Sequence, residues 1–277
     1  MTKIAIISDS HGNATALAAV IADAKKHAAD IYCSVGDITM RGPSPQECVD
    51  QLRAVNTKTW VLGNHEQTYR DLLTTGDTPI HGPKKTMALI FAQYDQQHLE
   101  PKTYHWLADL PLRQTITVAG FKIDVLHSLP KQTYGSSTQP TKPQENFDAI
   151  FAGSNSDIAL YGHTHRQVFR YSSDGRLILN AGTVGLAAPS NPRFYNNRAQ
   201  YALLDLDEHG VSDIDFRQVS YDVEAELKIA RERKMPYYEL YATILREGRY
   251  AYTVENINTI NEANDYERIA ANFLATF

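Results

Sequence analysis

The sequence predicts an α/β protein with two sheets packed face to face and helices outside, and three observations carry that prediction. Apolar, β-branched runs alternate with helical periodicity through the first 62 residues, a pattern that requires right-handed βαβ crossovers and a parallel sheet. From residue 158 onward, strand-like runs follow one another without helices between them. Directly behind five of the runs stand residues rich in oxygen and imidazole, at the strand ends where open α/β sheets bind ligands.

Residues 3–8 form a continuous apolar run, the pattern of a strand covered on both faces. Residues 9–13 turn, and Asn13 is placed to cap a helix in which Leu17, Val20, Ile21 and Ala24 recur at helical spacing. Residues 30–35 make a second strand and 36–45 a Gly/Pro loop. A helix over 46–54 turns Val49 and Leu52 inward, and 58–62 is a third strand. Residues 67–110 are helical, with Leu72, Leu73, Met87, Leu89, Ile90 and Phe91 as inward positions and a break at 76–83. Residues 115–118 and 121–126 flank Ala119-Gly120 as a hairpin.

Residues 129–146, rich in Pro, Ser, Thr and Gln, form a long loop, expected to be a solvated connector in preference to a lid. Runs at 158–161, 168–171, 177–179 and 201–206, with Ser173-Asp174-Gly175 as a turn, predict an antiparallel sheet. Residues 211–221 are a last strand, and 223–277 are helical with breaks near Pro236 and Gly248. The expected division is a domain over 1–220 and a C-terminal helical extension, 221–277, packed on it.

A chain of 277 residues with 43% hydrophobic content can bury a sizeable core. Its net charge of −5 offers no broad basic surface, which argues against nucleic-acid backbone binding as the main task. Any anionic ligand must be attracted locally. Cys33 and Cys48 are the only cysteines, and with no secretory signature a reduced, cytoplasmic setting is expected. No apolar stretch approaches the ~18 residues of a membrane span.

The polar strand ends are Asp9-Ser10-His11, Gly36-Asp37, Gly63-Asn64-His65-Glu66, His127 and Gly162-His163-Thr164-His165. Asp9 and His11 leave one turn and can reach one ion. Asp37 follows a glycine, which lets the chain and a ligand approach closely, and is the candidate bridge between two ions. Asn64 offers a carbonyl oxygen, and His127, His163 and His165 offer neutral imidazoles, which suit Zn, Mn, Fe or Co better than Ca. A lone Asp-x-His or Gly-Asp is more often a turn than a ligand, and His27, His81, His98, His105 and His209 have no such context. The joint occurrence at strand ends is what chance explains badly. Seven candidate ligands are too many for one tetrahedral zinc and suit two ions sharing a bridge.

In this order and with these gaps, Asp9-x-His11, Gly36-Asp37, Gly63-Asn64-His65-Glu66, His127 and Gly162-His163-x-His165 resemble the calcineurin-like metallophosphoesterases over roughly residues 1–220. Gly36-Asp37 running to Arg41-Gly42-Pro43, and residues 180–185, look like the compact bacterial branch. That branch commonly has Pro-Gly-Ser where this chain has Ala181-Gly182-Thr183. The resemblance implies a four-layer α/β/β/α sandwich of two mixed sheets flanked by helices. It implies two divalent or mixed-valence ions drawn from Mn, Fe, Zn or Co, with Mn and Fe favoured. Asp9, His11, Asp37 and His165 would hold one; Asp37, Asn64, His127 and His163 the other. His65 would contact the phosphate or protonate the leaving oxygen.

The expected chemistry follows from that match. Two dications less two carboxylates and a hydroxide leave about one positive charge in a low-dielectric cleft. A metal-bound water, its pKa lowered from 15.7 towards about 7, would attack phosphorus in line, with His65 as general acid. Glu66 either orients His65 or serves as a helix N-terminal acid. Arg41 is the best second phosphate contact, ahead of Arg193 and Arg198. Tyr237, Tyr238, Tyr241, Tyr250, Tyr252 and Tyr266 are expected to pack, with base stacking the lesser alternative. The substrate would be a small phosphorylated molecule of nucleotide type, diadenosine tetraphosphate being the specific expectation. The rivals are a serine/threonine protein phosphatase and a non-catalytic scaffold, and the latter predicts gaps among the ligands that the sequence does not have.

Overall fold

The structure, a computed structural model, describes residues 1–189 and 191–277. It holds nine strands and ten α-helices among the described residues. One sheet has the order β2-β1-β8-β9 and the other β3-β4-β5-β7-β6. In the first, β1 (Thr2–Ile7) pairs in parallel with β2 (Ile31–Ser34) and antiparallel with β8 (Arg198–Asp207), which pairs antiparallel with β9 (Gly210–Ser220). In the second, the hairpin of β3 (Arg113–Val118) and β4 (Phe121–Leu126) runs beside β5 (Ile158–Tyr161), β7 (Leu177–Ala181) and β6 (Gln167–Tyr171). Both sheets are mixed.

Alternation along the strands divides the core. Ile4, Ile6, Cys33 and Val35 meet Ile123, Val125, Leu160 and Leu179 between the sheets. Ala5 and Ile7, on the opposite face of β1, pack under α1 (Ala14–Lys26), α2 (Pro45–Ala54) and their neighbours. On the far face of the second sheet, Leu126, Tyr161 and Ile178 are covered by Phe147 of α6 (Gln144–Asp148) and by Ile150 and Phe151 just beyond it. The layers are therefore helix, sheet, sheet, helix. Asn13 caps α1 as expected, accepting from Ala16 N at 2.9 Å.

Three expectations are corrected. Residues 58–62 are not a strand: only Thr59 bridges Cys33 in parallel. Beyond it, Trp60 N donates to Gln114 Oε1 and Leu62 N to Pro111 O, so the ladder ends there. The runs from 158 onward do not form one antiparallel sheet. The Ser173-Asp174-Gly175 turn folds β6 back along β7, which inserts β7 beside β5 in parallel, and 201–206 becomes β8 of the other sheet. Buried on both faces, β8 is a central strand. Leu73 is exposed, although the other five positions assigned inward are buried.

The helical stretch resolves into α3 (Asn64–Thr75), α4 (Pro83–His98) and α5 (Pro101–Ala108). The C-terminal segment forms α7 (Val223–Glu232), α8 (Tyr238–Glu247), α9 (Val254–Ala263) and α10 (Tyr266–Leu274). α7 packs on α1, while α9 and α10 pack on α4. Tyr237, Tyr241 and Tyr252 are buried in this contact, which is the packing role expected of them. Among the described residues no helix is long and apolar enough to cross a membrane.

Candidate metal centre and active site

The ends of β1 and β2 are tied together before any side chain is considered. Asp9 N donates to Gly36 O, His11 N to Asp37 O and Gly12 N to Ile38 O, at 2.8–3.1 Å. Five of the seven expected ligands, Asp9, His11, Asp37, His163 and His165, have left-handed backbone, with φ between 49° and 67°. Such conformations cost energy and persist where the surroundings dictate them, commonly at functional sites. Gly63 supplies clearance: a Cβ there would lie 2.1 Å from Asp37 Oδ1. Asn64 and His65 open α3 instead of ending a strand, and His65 N donates to Asp37 Oδ1 at 2.9 Å.

The side chains converge in two groups. In one, His165 Nε2 lies 3.0 Å from His11 Nε2 and 3.1 Å from Asp9 Oδ1. His11 Nε2 is 3.8 Å from Asp9 Oδ1 and 3.9 Å from Asp37 Oδ2. In the other, Asn64 Oδ1 lies 2.7 Å from His163 Nδ1 and 3.2 Å from His127 Nε2, which is 3.3 Å from Asp37 Oδ2. Ligands bound at ~2.0–2.2 Å around one ion stand roughly 3.0–3.5 Å apart, a window that holds four of these seven distances and leaves 2.7, 3.8 and 3.9 Å outside it. All seven residues named from the sequence meet here, and Asp37 faces both groups.

The chemistry of these donors fits cations. Asp9 Oδ1 is buried with no hydrogen-bond partner, while Asp9 Oδ2 accepts from Ser8 Oγ and from His163 N. Backbone carbonyls orient the imidazoles. His127 Nδ1 faces Val35 O at 2.8 Å, His165 Nδ1 faces Leu186 O at 2.9 Å, and His163 Nε2 faces Gly135 O at 2.8 Å. Each contact takes the N–H of one nitrogen and aims the other at its group, the usual second layer of a metal-binding histidine. Gly135 belongs to the loop expected to be a solvated connector, so that loop reaches the site. Burial pushes His11 well below its ordinary value, His65 to about 3 and His163 to about 4. Burial would lower His127 too, but Asp37 and Asp9 beside it raise it to about 10. The Asp37 carboxylate and the His127 imidazole, 3.3 Å apart, are both groups that can take a cation.

Glu66 neither orients His65 nor merely completes a helix start. Fully buried, it accepts from Asp37 N, Ile38 N, Thr39 N, Thr39 Oγ1 and Gly63 N at 2.8–3.2 Å. It thereby fixes the loop that carries Asp37. Behind it lies Asp95, which the sequence reading missed. Asp95 Oδ2 accepts from Met40 N at 2.8 Å and meets Tyr69 OH, which is 2.8 Å from Thr39 Oγ1. Burial pushes both Glu66 and Asp95 up to about 7. Tyr69 OH donates to Asp95 Oδ2 and Thr39 Oγ1 donates to Glu66, so the contact between the two hydroxyls needs one further proton, which one of the two raised acids supplies. Only an acidic residue inside an otherwise apolar helix face signalled Asp95 in the sequence.

Asn180 Nδ2 donates to Gly162 O at 2.7 Å, and Thr183 Oγ1 donates to Asp9 O at 2.9 Å, so residues 180–185 brace both histidine-bearing and aspartate-bearing turns. A cavity of about 530 Å³ opens over the histidines, bounded by His65, Arg41, Arg166 and Arg249. Arg41 lies where expected. Arg193 and Arg198 do not line it, whereas Arg166 and Arg249, to which the sequence reading gave no role, do.

The family model for the calcineurin-like phosphoesterase superfamily domain matches residues 2–209. The chain belongs to this superfamily. As a metallophosphoesterase it resembles a crystal structure of a metallophosphoesterase from Sphaerobacter thermophilus, 25% identical, with a TM-score of 0.67 over 89% of this chain and all of that one. A hypothetical protein from Pyrococcus horikoshii OT3, 20% identical, shares the fold with a TM-score of 0.72 over 91% of this chain and all of that one. An uncharacterised protein of Methanocaldococcus jannaschii is 28% identical over 84% of this chain and 93% of its own length. The enzyme is thus a metal-dependent phosphoesterase with the four-layer sandwich that its motifs implied.

Proposed function

We propose that this phosphoesterase works with two transition-metal ions and hydrolyses a small phosphorylated substrate of nucleotide type. The observation that carries the reading is the convergence of seven ligand atoms into two groups that share Asp37. Asp9, His11, Asp37 and His165 would hold one ion, and Asp37, Asn64, His127 and His163 the other, with manganese and iron favoured. When bound, the ions supply Lewis acidity toward a phosphoryl oxygen and acidify a water for attack at phosphorus. Residues 1–220 form the catalytic unit in this reading, and 221–277 wall its cavity.

His65 stands at the cavity edge, 8% exposed, with Nε2 3.8 Å from Asp37 Oδ2. In the proposed role it contacts the phosphate and passes a proton to the leaving oxygen. Burial keeps the free imidazole neutral, and the negative charge of a bound phosphate raises its affinity for that proton. Arg41 is the second phosphate contact. The cavity volume of about 530 Å³ falls in the range of ~300–1,000 Å³ that suits small molecules. Its arginines concentrate positive charge on a protein of net charge −5.

The test is turnover by manganese-loaded protein of diadenosine tetraphosphate, bis-p-nitrophenyl phosphate, p-nitrophenyl phosphate and a phosphopeptide. Hydrolysis of the diester or the dinucleotide is expected. Activity on the phosphopeptide alone would move the assignment to a protein phosphatase, and inactivity on all four would restore the non-catalytic scaffold.

A further inference from the structure

One wall of the cavity comes from outside the metal motifs. The turn between α8 and α9 places Arg249 and Tyr250 in the same cavity as His65 and Arg41. The turn is firmly built. Gly248 ends α8 with left-handed backbone (φ 64°), its N–H bonded to Ile244 O at 2.9 Å, and a Cβ there would sit 2.0 Å from the Tyr195 ring. Thr253 caps α9 by accepting from Asn256 N at 3.2 Å, and Asn256 Nδ2 donates to Ala251 O at 2.9 Å. Ala251 and Tyr252 are buried, so the two residues before them are presented outward. Of the buried Tyr237, Tyr241 and Tyr252 none can stack on a ligand, whereas Tyr250 is 52% exposed and lines the cavity.

Tyr252 has a second effect. The Arg41 guanidinium carbon lies 4.9 Å from the centre of its ring, a contact that orients a cation without neutralising it. Arg41 Nε is buried without a hydrogen-bond partner, and no described carboxylate forms an ion pair with Arg41. The buried Arg41 Nε is left to an acceptor that enters the cavity. Among the described residues Arg249 pairs only with Glu247, at 3.0 Å, and both side chains are more than half exposed. Such a pair is weak in water and yields readily to a phosphate.

We propose that Arg41, Arg249 and Tyr250 form a second subsite that recognises a nucleotide carrying an anionic group beyond the scissile phosphoryl group. The base stacks on Tyr250, and the second anionic group lies between the two arginines. The proposal rests on the phosphoesterase reading of the cavity floor and names what the wall adds to it.

Equilibrium binding to the manganese-loaded full chain tests it with three probes: adenosine 3′,5′-bisphosphate, AMP and ribose 5-phosphate. The native protein should bind them in that order of decreasing affinity. Tyr250→Leu should weaken AMP by roughly tenfold, as loss of one base stack does, and should weaken ribose 5-phosphate far less. Tyr250→Phe should keep the native preference, and Arg249→Gln should remove the advantage of the bisphosphate over AMP. Both positions are exposed, so the variants fold. Equal binding of AMP and ribose 5-phosphate by the native protein, or the same loss for all three probes in each variant, would overturn the subsite. Turnover of bis-p-nitrophenyl phosphate by the same samples separates the two readings. Intact binding preferences without turnover would remove the phosphoesterase reading and leave the subsite standing.

Discussion

The cavity floor is made of donors carried on left-handed backbone and braced from behind by buried acids, whereas its wall is an exposed arginine and tyrosine on a capped turn. On the floor each side chain is fixed by several others: Asp37 is held by α3, by the His11 backbone and by the loop that Glu66 ties down. On the wall the backbone is fixed and the side chains are exposed, Arg249 held by its ion pair with Glu247. A change to the floor therefore propagates to neighbouring ligands, while a change to the wall alters only what it touches. In the proposed function the difference separates chemistry from selectivity.

The largest effect should come from Asp37→Ala. It removes the carboxylate that faces both ligand groups, and activity should fall by roughly 10³-fold or more, since each ion supplies several kcal/mol. Elemental analysis should find less than one ion per chain. Retention of two would show that the groups do not share Asp37. His65→Gln should lower the rate by roughly 10²- to 10⁴-fold with the metal content unchanged. Loss of metal instead would place His65 among the ligands, next to the His11 and Asp37 atoms it approaches within 4.8 Å.

Glu66→Gln tests the bracing layer. An amide can accept only on one oxygen, so part of the set of five donors is orphaned and the Asp37 loop is released. Metal affinity should drop by ~10–100-fold, the usual cost of losing a second layer, measured by titration with manganese. Unchanged affinity would mean that the loop is held by Asp95 and the backbone alone.

The smallest effect on activity, and the clearest on stability, belongs to Asp95→Asn. Burial raises the folded-state value of Asp95 from 3.8 to about 7, so the fold prefers the protonated acid. That contribution is fully present below pH ~4 and is lost as pH rises through about 7. Asparagine keeps an oxygen that accepts from Met40 N and Tyr69 OH without titrating. The variant should resist denaturant about as well as the native protein near pH 4 and better at pH 8, by an amount on the order of 2–4 kcal/mol. A native protein with the same stability at both pH values would show that Asp95 is ionised throughout.

The candidate ligands other than Asn64 were legible in the sequence because each is announced twice, by its residue type and by the apolar strand before it. Ile4 to Ile7 leads to Asp9, and Ile158 to Tyr161 leads to His163. Strand pairing was less so. Nothing local distinguishes β7 inserted beside β5 from β7 at an edge, since both need the same turn and the same apolar residues. Residues 58–62 failed as a strand because a glutamine from β3 takes the Trp60 N–H. Glu66 has a sequence position identical to a helix N-terminal acid, and only the return of residues 37–39 to its carboxylate gives it a different task. Tyr250 was named among six tyrosines expected to pack in preference to stacking, and Arg249 was illegible because lining a cavity with residues far away in the chain leaves no local periodicity.

The most direct test of the account is the position of bound ions in crystals of the manganese-loaded protein, located by their anomalous scattering. Two sites per chain are predicted, both within coordinating distance of Asp37, one next to His165 Nε2 and the other next to His163 Nδ1. A single site, or two that do not share Asp37, would contradict it.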